Sequence, residues 1–277
     1  MRFFLFSFIV LSCLAVFGYI FVIWREMESV RQFHLNCTQE VKKGGYLKVN
    51  FAFVTSQHRN DSLSKEALWI PSLDWLHENY GPVPKVVYRR SGERFSSEKR
   101  WLPNKGREVL PYLTYLTEHY DTLPKFVVFI HGHESSSHCE PMMHILRGLR
   151  WENIHFANLN WLGEEGFYTT LEASSPPSNS TFKWVKLFWA DMFRESGRVP
   201  ERISFHAHSQ FVVSRERIRS RKKQFYEKLH TWARDTNYGD QHISAFFQAT
   251  WHFIFGEEAD MPKQERCHFT TSPLCPT

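Results

Sequence analysis

Two histidines flanking a glycine, His131-Gly132-His133, close the unbroken apolar run of residues 126–130, and a third, His138, follows soon after. Open parallel sheets bind ligands at the carboxyl ends of their strands, and alternate positions of an extended chain face the same side. The two imidazoles are therefore placed to share a substrate or a metal. With His138 they could hold zinc and leave one position open, the chemistry of a His-ligated metallohydrolase. The same residues would serve equally to hydrogen-bond loop backbone and line a polar pocket without metal. A second cluster, Asn104, Arg107 and Glu108, crowds the start of a helical pattern. Free backbone N–H groups and a forked guanidinium there suit anionic or polyhydroxylated ligands, although a helix cap with a local ion pair uses the same residue types.

Two further patterns carry weaker chemistry. The segment Ala207-His208-Ser209-Gln210-Phe211, with Asp240 and His252 after it, has the chain order of a hydrolase triad. Phe211, however, stands where the tight strand-to-helix turn of a nucleophile elbow needs a small residue. The basic run Arg215, Arg217, Arg219, Arg221, Lys222 and Lys223 reads as the wet face of an amphipathic helix. Arg215, in the helix's first turn, is the member best placed to meet a diphosphate.

The elements that must position these groups are legible as alternating strand and helix patterns. Residues 46–55 and 84–88 are rich in Val, Phe and Tyr and read as strands, with a short helix over 72–80 between them. Residues 92–100 read as a solvated loop. Val109, Leu113, Leu116 and Tyr120 recur at helical spacing, and 126–130 reads as a central parallel strand. Residues 141–150 form a further helical pattern and 163–180 a loop or insertion. Phe182, Val185, Trp189 and Met192 lie on one helical face. Residues 203–213 read as extended, Ser214 as the N-cap of one long helix through Ile218, Phe225, Leu229 and Trp232, and 242–255 as a last helix. Strand, helix, strand in succession implies an α/β fold with a mostly parallel sheet flanked by helices.

Residues 3–24 hold no charge and no proline. At about 1.5 Å rise per residue they match the thickness of a hydrocarbon core, so the expectation is one N-terminal transmembrane helix. A cleaved signal would end in small residues, whereas this stretch ends in Phe21, Val22, Ile23 and Trp24. The organisation expected is an anchor over 1–25, a stem over 26–45 and one domain over 46–277. Acceptor triplets at Asn36, Asn60 and Asn179 all follow the anchor and favour a luminal domain, as in a single-pass type II protein of the Golgi or endoplasmic reticulum. Four of the five cysteines also follow it, in a compartment where disulfides persist; Cys267 with Cys275 is the preferred pairing among three connectivities. The net charge of +5 is spread along the chain and is not a nucleic-acid signature.

The segments LPNKGREVLPYLTYLTEHYDTLPKFVVFIHGHESSSH, SQFVVSRERIRSRKKQFYEKLHTW and ATWHFIFG together resemble an uncharacterised eukaryotic, fungal-rich family known as domain of unknown function 3431, over about residues 82–256. That resemblance implies distant kinship with GT-A glycosyltransferases. It points to Asn104, Gly106, Arg107, Glu108, His131, Gly132, His133, His138, Gln210, Ser214, Arg215, Trp251 and His252. On this reading Glu108, His131 and His133 are the catalytic candidates. Asn104, Arg107, His138, Gln210, Arg215, Trp251 and His252 bind a nucleotide-sugar donor and a glycan or lipid acceptor. Gln248 stands where the family tends to carry an acid, and Ala207, His208 and Ser209 stand where it tends to carry paired Cys. The alternative class is therefore a luminal binding protein without turnover. No Asp-x-Asp occurs, so any transfer would be metal-independent or use His ligands.

Overall fold

The computed structural model describes residues 51–58, 85–91, 101–131, 142–162, 165–173, 180–193 and 197–269, all within one compact unit, Tyr46–Thr277. A six-stranded sheet organises it. Strand β1 (Phe51–His58) pairs in parallel with β2 (Lys85–Ser91), and β3 (Trp101–Pro103) extends that side, again in parallel. On its other side β1 pairs in parallel with β4 (Phe126–Phe129). The chain then supplies β5 (Phe156–Asn158) as the far edge, the two-residue strands β6 (Trp161–Leu162) and β7 (Glu165–Gly166) as a small ladder, and β8 (Tyr168–Glu172) and β9 (Arg202–His206) as a separate antiparallel pair. Last comes β10 (Phe211–Ser214), which inserts antiparallel between β4 and β5. The resulting order is β3-β2-β1-β4-β10-β5. A mixed sheet flanked by helices agrees with the expected fold class.

The centre of this sheet is set by β-branched and aromatic runs buried on both faces. Every residue of β4 and β10 is buried, as continuous apolar runs in central strands must be. Four helices belong to the same core: α1 (Val109–Glu118), α3 (Ser180–Met192), α5 (Lys223–Asp235) and α6 (Asp240–Ile254), with α2 (Met142–Gly148) between the first two in sequence. Short α4 (Arg215–Arg219) follows β10, and α7 (Arg266–Phe269) closes the described chain. Tyr112 of α1 meets Phe129 at 4.8 Å and Trp251 of α6 at 5.9 Å, and Phe211 lies 5.5 Å from Trp251. This aromatic layer fastens α1 and α6 over β4 and β10. Phe182, Val185, Trp189 and Met192 are all buried along α3, as their spacing requires.

Several expectations are corrected by the tertiary structure. Residues 163–180 are not simply a loop, since β8 lies within them and is held by β9. The extended stretch 203–213 is two strands in two different sheets. They are separated by a turn in which His208 (φ 74°) and Ser209 (φ 49°) are left-handed. The long helix after Ser214 is broken into α4 and α5. Ser214 does cap α4, its hydroxyl accepting from the Arg217 N–H at 3.2 Å. Outside the described residues lie 3–24, the stem, 72–80, 92–100, Asn36, Asn60, Asn179 and Cys275. Among the described residues no helix is long and apolar enough to cross a membrane. Cys267 is half of a disulfide, and its partner lies outside the described residues.

The turn that joins β3 to α1 is specified by Gly106. Its φ is +63°, a Cβ there would stand 3.1 Å from Ile243 Cγ2, and its N–H donates to Asp240 Oδ1 at 2.7 Å. Backbone conformation and close approach to α6 thus both demand glycine. Gly106→Ala is expected to cost about 1–2 kcal/mol, read as a lowered urea midpoint with unchanged slope. An unchanged midpoint would mean that the turn relaxes freely.

Candidate functional site

The chain builds β1, β2 and β3 outward in one direction and then returns to place β4 on the other side of β1. Open α/β sheets bind their ligands beyond the carboxyl ends of the strands at such a point, here those of β1 and β4. His131 follows the carboxyl end of β4, half-buried. Its backbone N–H donates to Gln210 Oε1 at 2.9 Å, while the N–H of Ile130 donates to Val54 of β1. Because β10 runs antiparallel, its amino end meets the carboxyl ends of β4 and β5, and Gln210 is carried there.

Gln210 is fully buried and organises a network of carboxamides. Its Nε2 donates to Asn160 Oδ1 at 2.9 Å. Asn160 Nδ2 donates to Asn158 Oδ1 (3.0 Å), to the Ala207 carbonyl (2.9 Å) and to the Gln210 carbonyl (3.1 Å). The β4 end, the β5 end and the left-handed β9–β10 turn are thereby locked together. That turn presents His208, half-buried and edge-on to Phe167 at 4.8 Å between ring centroids. Two consecutive non-glycine residues at positive φ are costly, and such strain persists where the surroundings over-determine it.

Beneath the turn is a cavity of about 10 Å³ bordered by Ser209, Gln248, Trp251, His206 and His252. That is close to the smallest space a single water occupies. Ser209 Oγ and Trp251 Nε1 are buried with no hydrogen-bond partner among the described residues, and both belong to its lining. His206 Nε2 accepts from the Gln264 N–H at 3.0 Å, so its proton sits on Nδ1. His252 Nε2 donates to the Ala259 carbonyl at 3.1 Å. Burial pushes the His206 imidazole down to about 4, with Lys263 and His252 adding to the effect. Burial likewise pushes His252 down to about 4, partly opposed by its bond to Ala259. Both rings are therefore neutral structural groups at physiological pH.

The sequence candidates divide between the two ends and the interior of the sheet. Asn104, Arg107 and Glu108 follow the carboxyl end of β3, the same end as His131 and Gln210. They lie three strand spacings from β4, about 14 Å. Asn104 and Arg107 are exposed, Arg107 has φ 54°, and Glu108 Oε1 accepts from Ser244 Oγ at 3.4 Å. His133 and His138 lie outside the described residues. Trp251 and His252 are 2 % exposed and support the site from below rather than entering it. Among the described residues no group of three His, Cys, Asp or Glu is placed to hold a metal. Ser209 is buried between two strands rather than raised on a strand-to-helix turn, so the hydrolase-triad reading is not sustained.

Arg215 is at the opposite end of the sheet. Its N–H donates to Lys125 just before β4 begins, and its guanidinium reaches the Leu123 carbonyl at 3.5 Å. Its neighbours act as staples, with Arg219 and Lys222 also exposed to solvent as a wet face requires. Arg219 donates to the Asp121 carbonyl (3.0 Å), Arg221 lies over Phe225 (5.2 Å to the ring centroid) and reaches the Phe253 carbonyl (3.4 Å), and Arg217 pairs with Glu257 (3.0 Å). The basic run thus ties α4 and the start of α5 to the loop before β4 and to the end of α6.

Sequence reasoning passed over Asn158, Asn160, His206 and Gln264. Two asparagines in the otherwise apolar run of residues 156–160 were the available signal, because a buried amide requires partners. Gln264 has a structural task. Its amide donates to the Phe156 carbonyl (3.1 Å) and accepts from the Asn158 N–H (2.8 Å), covering the free edge of β5 as a neighbouring strand would.

The sheet order and its carboxamide-lined strand ends define a mixed α/β protein with polar groups gathered at a topological switch point. The chain belongs to the family described as Protein of unknown function (DUF3431), whose model matches residues 70–270. Comparison with curated proteins and with solved structures found no match.

Proposed function

We propose that this chain is a membrane-anchored, luminal glycosyltransferase-like enzyme that binds a nucleotide sugar across the carboxyl ends of β1, β3 and β4. The observation that carries the reading is the switch point between β1 and β4 in a sheet with one antiparallel strand, with His131 fixed there by Gln210. The separation between the Asn104–Glu108 turn and His131 suits an extended, two-part ligand. Arg107 would meet the diphosphate and Asn104, His131 and His133 the sugar. Glu108 or a histidine would take the proton of an acceptor hydroxyl as its oxygen bonds the anomeric carbon and the nucleoside diphosphate leaves with the bonding electrons. Residues 3–24 would hold the domain at a Golgi or endoplasmic-reticulum membrane.

Gln248 supports a second reading, a binding protein without turnover. It borders the cavity under the β9–β10 turn with a neutral amide, where an acid could have moved a proton. The full chain, screened by thermal shift against nucleotide sugars with and without divalent metals, separates these readings. A donor sugar is expected to raise the melting temperature, since a ligand of the folded state stabilises it. His131→Ala is expected to weaken that binding about tenfold, because the backbone bond to Gln210 survives and only the imidazole contact is lost. Release of nucleoside diphosphate with acceptor present marks an enzyme; saturable binding without release marks the second reading. No shift with any donor would sink both.

A further inference from the structure

A cleft of about 480 Å³ opens beside the free edge of β5, toward the end of the sheet where Arg215 lies and away from His131. This volume is within the range of small-molecule sites. Its lining comes from three separate parts of the chain: Asn153, His155 and Phe156 leading into β5, Arg217 of α4, and the segment from Glu257 through α7. We propose that this cleft binds a small molecule with an apolar body and one phosphate or carboxylate group, at a second site independent of the strand-end site.

The walls are already held in place. The segment after α6 is fastened by the Glu257 N–H to the His252 carbonyl, by Tyr168 Oη to the Met261 carbonyl at 2.8 Å, and by the two Gln264 amide bonds to β5. A ligand entering here therefore meets little ordering cost. Phe156 and Met261, nearly buried, supply apolar surface, with Phe269 beside them.

The charged lining is divided between groups that are committed and groups that are not. Arg217 is spent on Glu257 and on the Gly256 carbonyl at 3.4 Å. By contrast the side chains of His155, Lys263 and His268 make no hydrogen bond or ion pair among the described residues, and all three border the cleft. Among the described residues, Glu265 is the one lining carboxylate apart from the paired Glu257. Lys263 and the ring N–H groups of His155 and His268 are three donors able to bind an oxygen anion, and the aromatic and thioether surface favours an apolar body attached to it.

Phenyl phosphate, benzoate, benzyl alcohol and inorganic phosphate, titrated into the full chain at fixed ionic strength and followed by calorimetry, test this. Phenyl phosphate or benzoate is expected to bind saturably, and inorganic phosphate and benzyl alcohol at least tenfold more weakly; a preference between the two anions identifies the headgroup. Lys263→Ala, at an exposed position, is expected to leave the melting temperature unchanged and weaken phenyl phosphate about tenfold. His268→Ala should weaken it further in combination. Benzyl alcohol binding as well as the anions, inorganic phosphate binding as well as phenyl phosphate, indifference to both substitutions, or no binding of any probe would each overturn the proposal. None of these outcomes depends on a nucleotide sugar, so failure here is distinct from failure of the strand-end reading.

Discussion

Gln210→Ala is expected to destabilise the protein by about 3–5 kcal/mol, a large part of the stability of an ordinary domain. The side chain is fully buried, so its loss leaves the His131 N–H without its acceptor and Asn160 Oδ1 without its donor. A half-buried N–H and a buried carboxamide oxygen lose these bonds together, and a cavity is opened between β4 and β5. Gln210→Met separates the causes: it nearly keeps the volume and removes both hydrogen bonds. Urea unfolding of both variants should give similar large losses if the polar network is responsible. A near-native methionine variant beside a crippled alanine variant would assign the effect to packing. A loss below about 1 kcal/mol in both would show that the strand ends do not depend on this amide. In either variant that folds, the His131 amide should lose protection from hydrogen exchange before the centre of β4 does.

Acid is expected to unfold the protein well before its carboxylates are all protonated. His206 and His252 are neutral in the fold, with burial holding both near 4, against about 6.5 in an unfolded chain. Above pH 6.5 neither state carries the proton and the two rings contribute no pH dependence. Between pH 6.5 and 4 the unfolded chain binds protons that the folded one refuses, so stability falls as pH falls; below 4 the loss saturates. Two groups over that window amount to roughly 7 kcal/mol at most, comparable with total stability. Protonation of His206 also puts a hydrogen on Nε2, against the Gln264 N–H it now accepts from. Glu257, which burial pushes up while Arg217 and His155 pull it down, opposes the trend weakly, because its protonation favours the folded state. Burial pushes His230 down as well, so it acts in the same direction as the two buried rings. The measurement is chemical denaturation at half-unit steps from pH 7.5 to 4. His252→Gln keeps a donor for the Ala259 carbonyl and is expected to flatten the slope by about half. An unaltered slope in His206→Gln, His252→Gln and their combination would remove these rings as the cause.

Much of the secondary structure was legible because its signals are local. The apolar runs of β4 and β10, the helical spacing of Val109, Leu113 and Leu116, the face of α3 and the cap at Ser214 each follow from residues within a few positions of one another. The shorter elements were less clear. Strand β8, with exposed Thr169 and Glu172, has too little apolar surface to declare itself and exists because β9 pairs with it. The helix after Ser214 breaks at Ser220, Arg221 and Lys222, where Arg221 is drawn toward Phe253 rather than along a helix axis.

For the site, the sequence by itself determined that the apolar run of residues 126–130 ends at His131 and that Asn104, Arg107 and Glu108 crowd the start of a helix. Only the tertiary structure decided that Gln210 reaches His131 across 79 positions of sequence, and Asn160 across 50. It also decided that Arg215, five residues after Gln210, belongs to the other end of the sheet. The reason is the direction of β10. Antiparallel insertion brings the start of that strand to the carboxyl ends of its neighbours and sends its end to the opposite pole, and strand direction is settled by which partners bury its two faces, a property that no local pattern of residues carries.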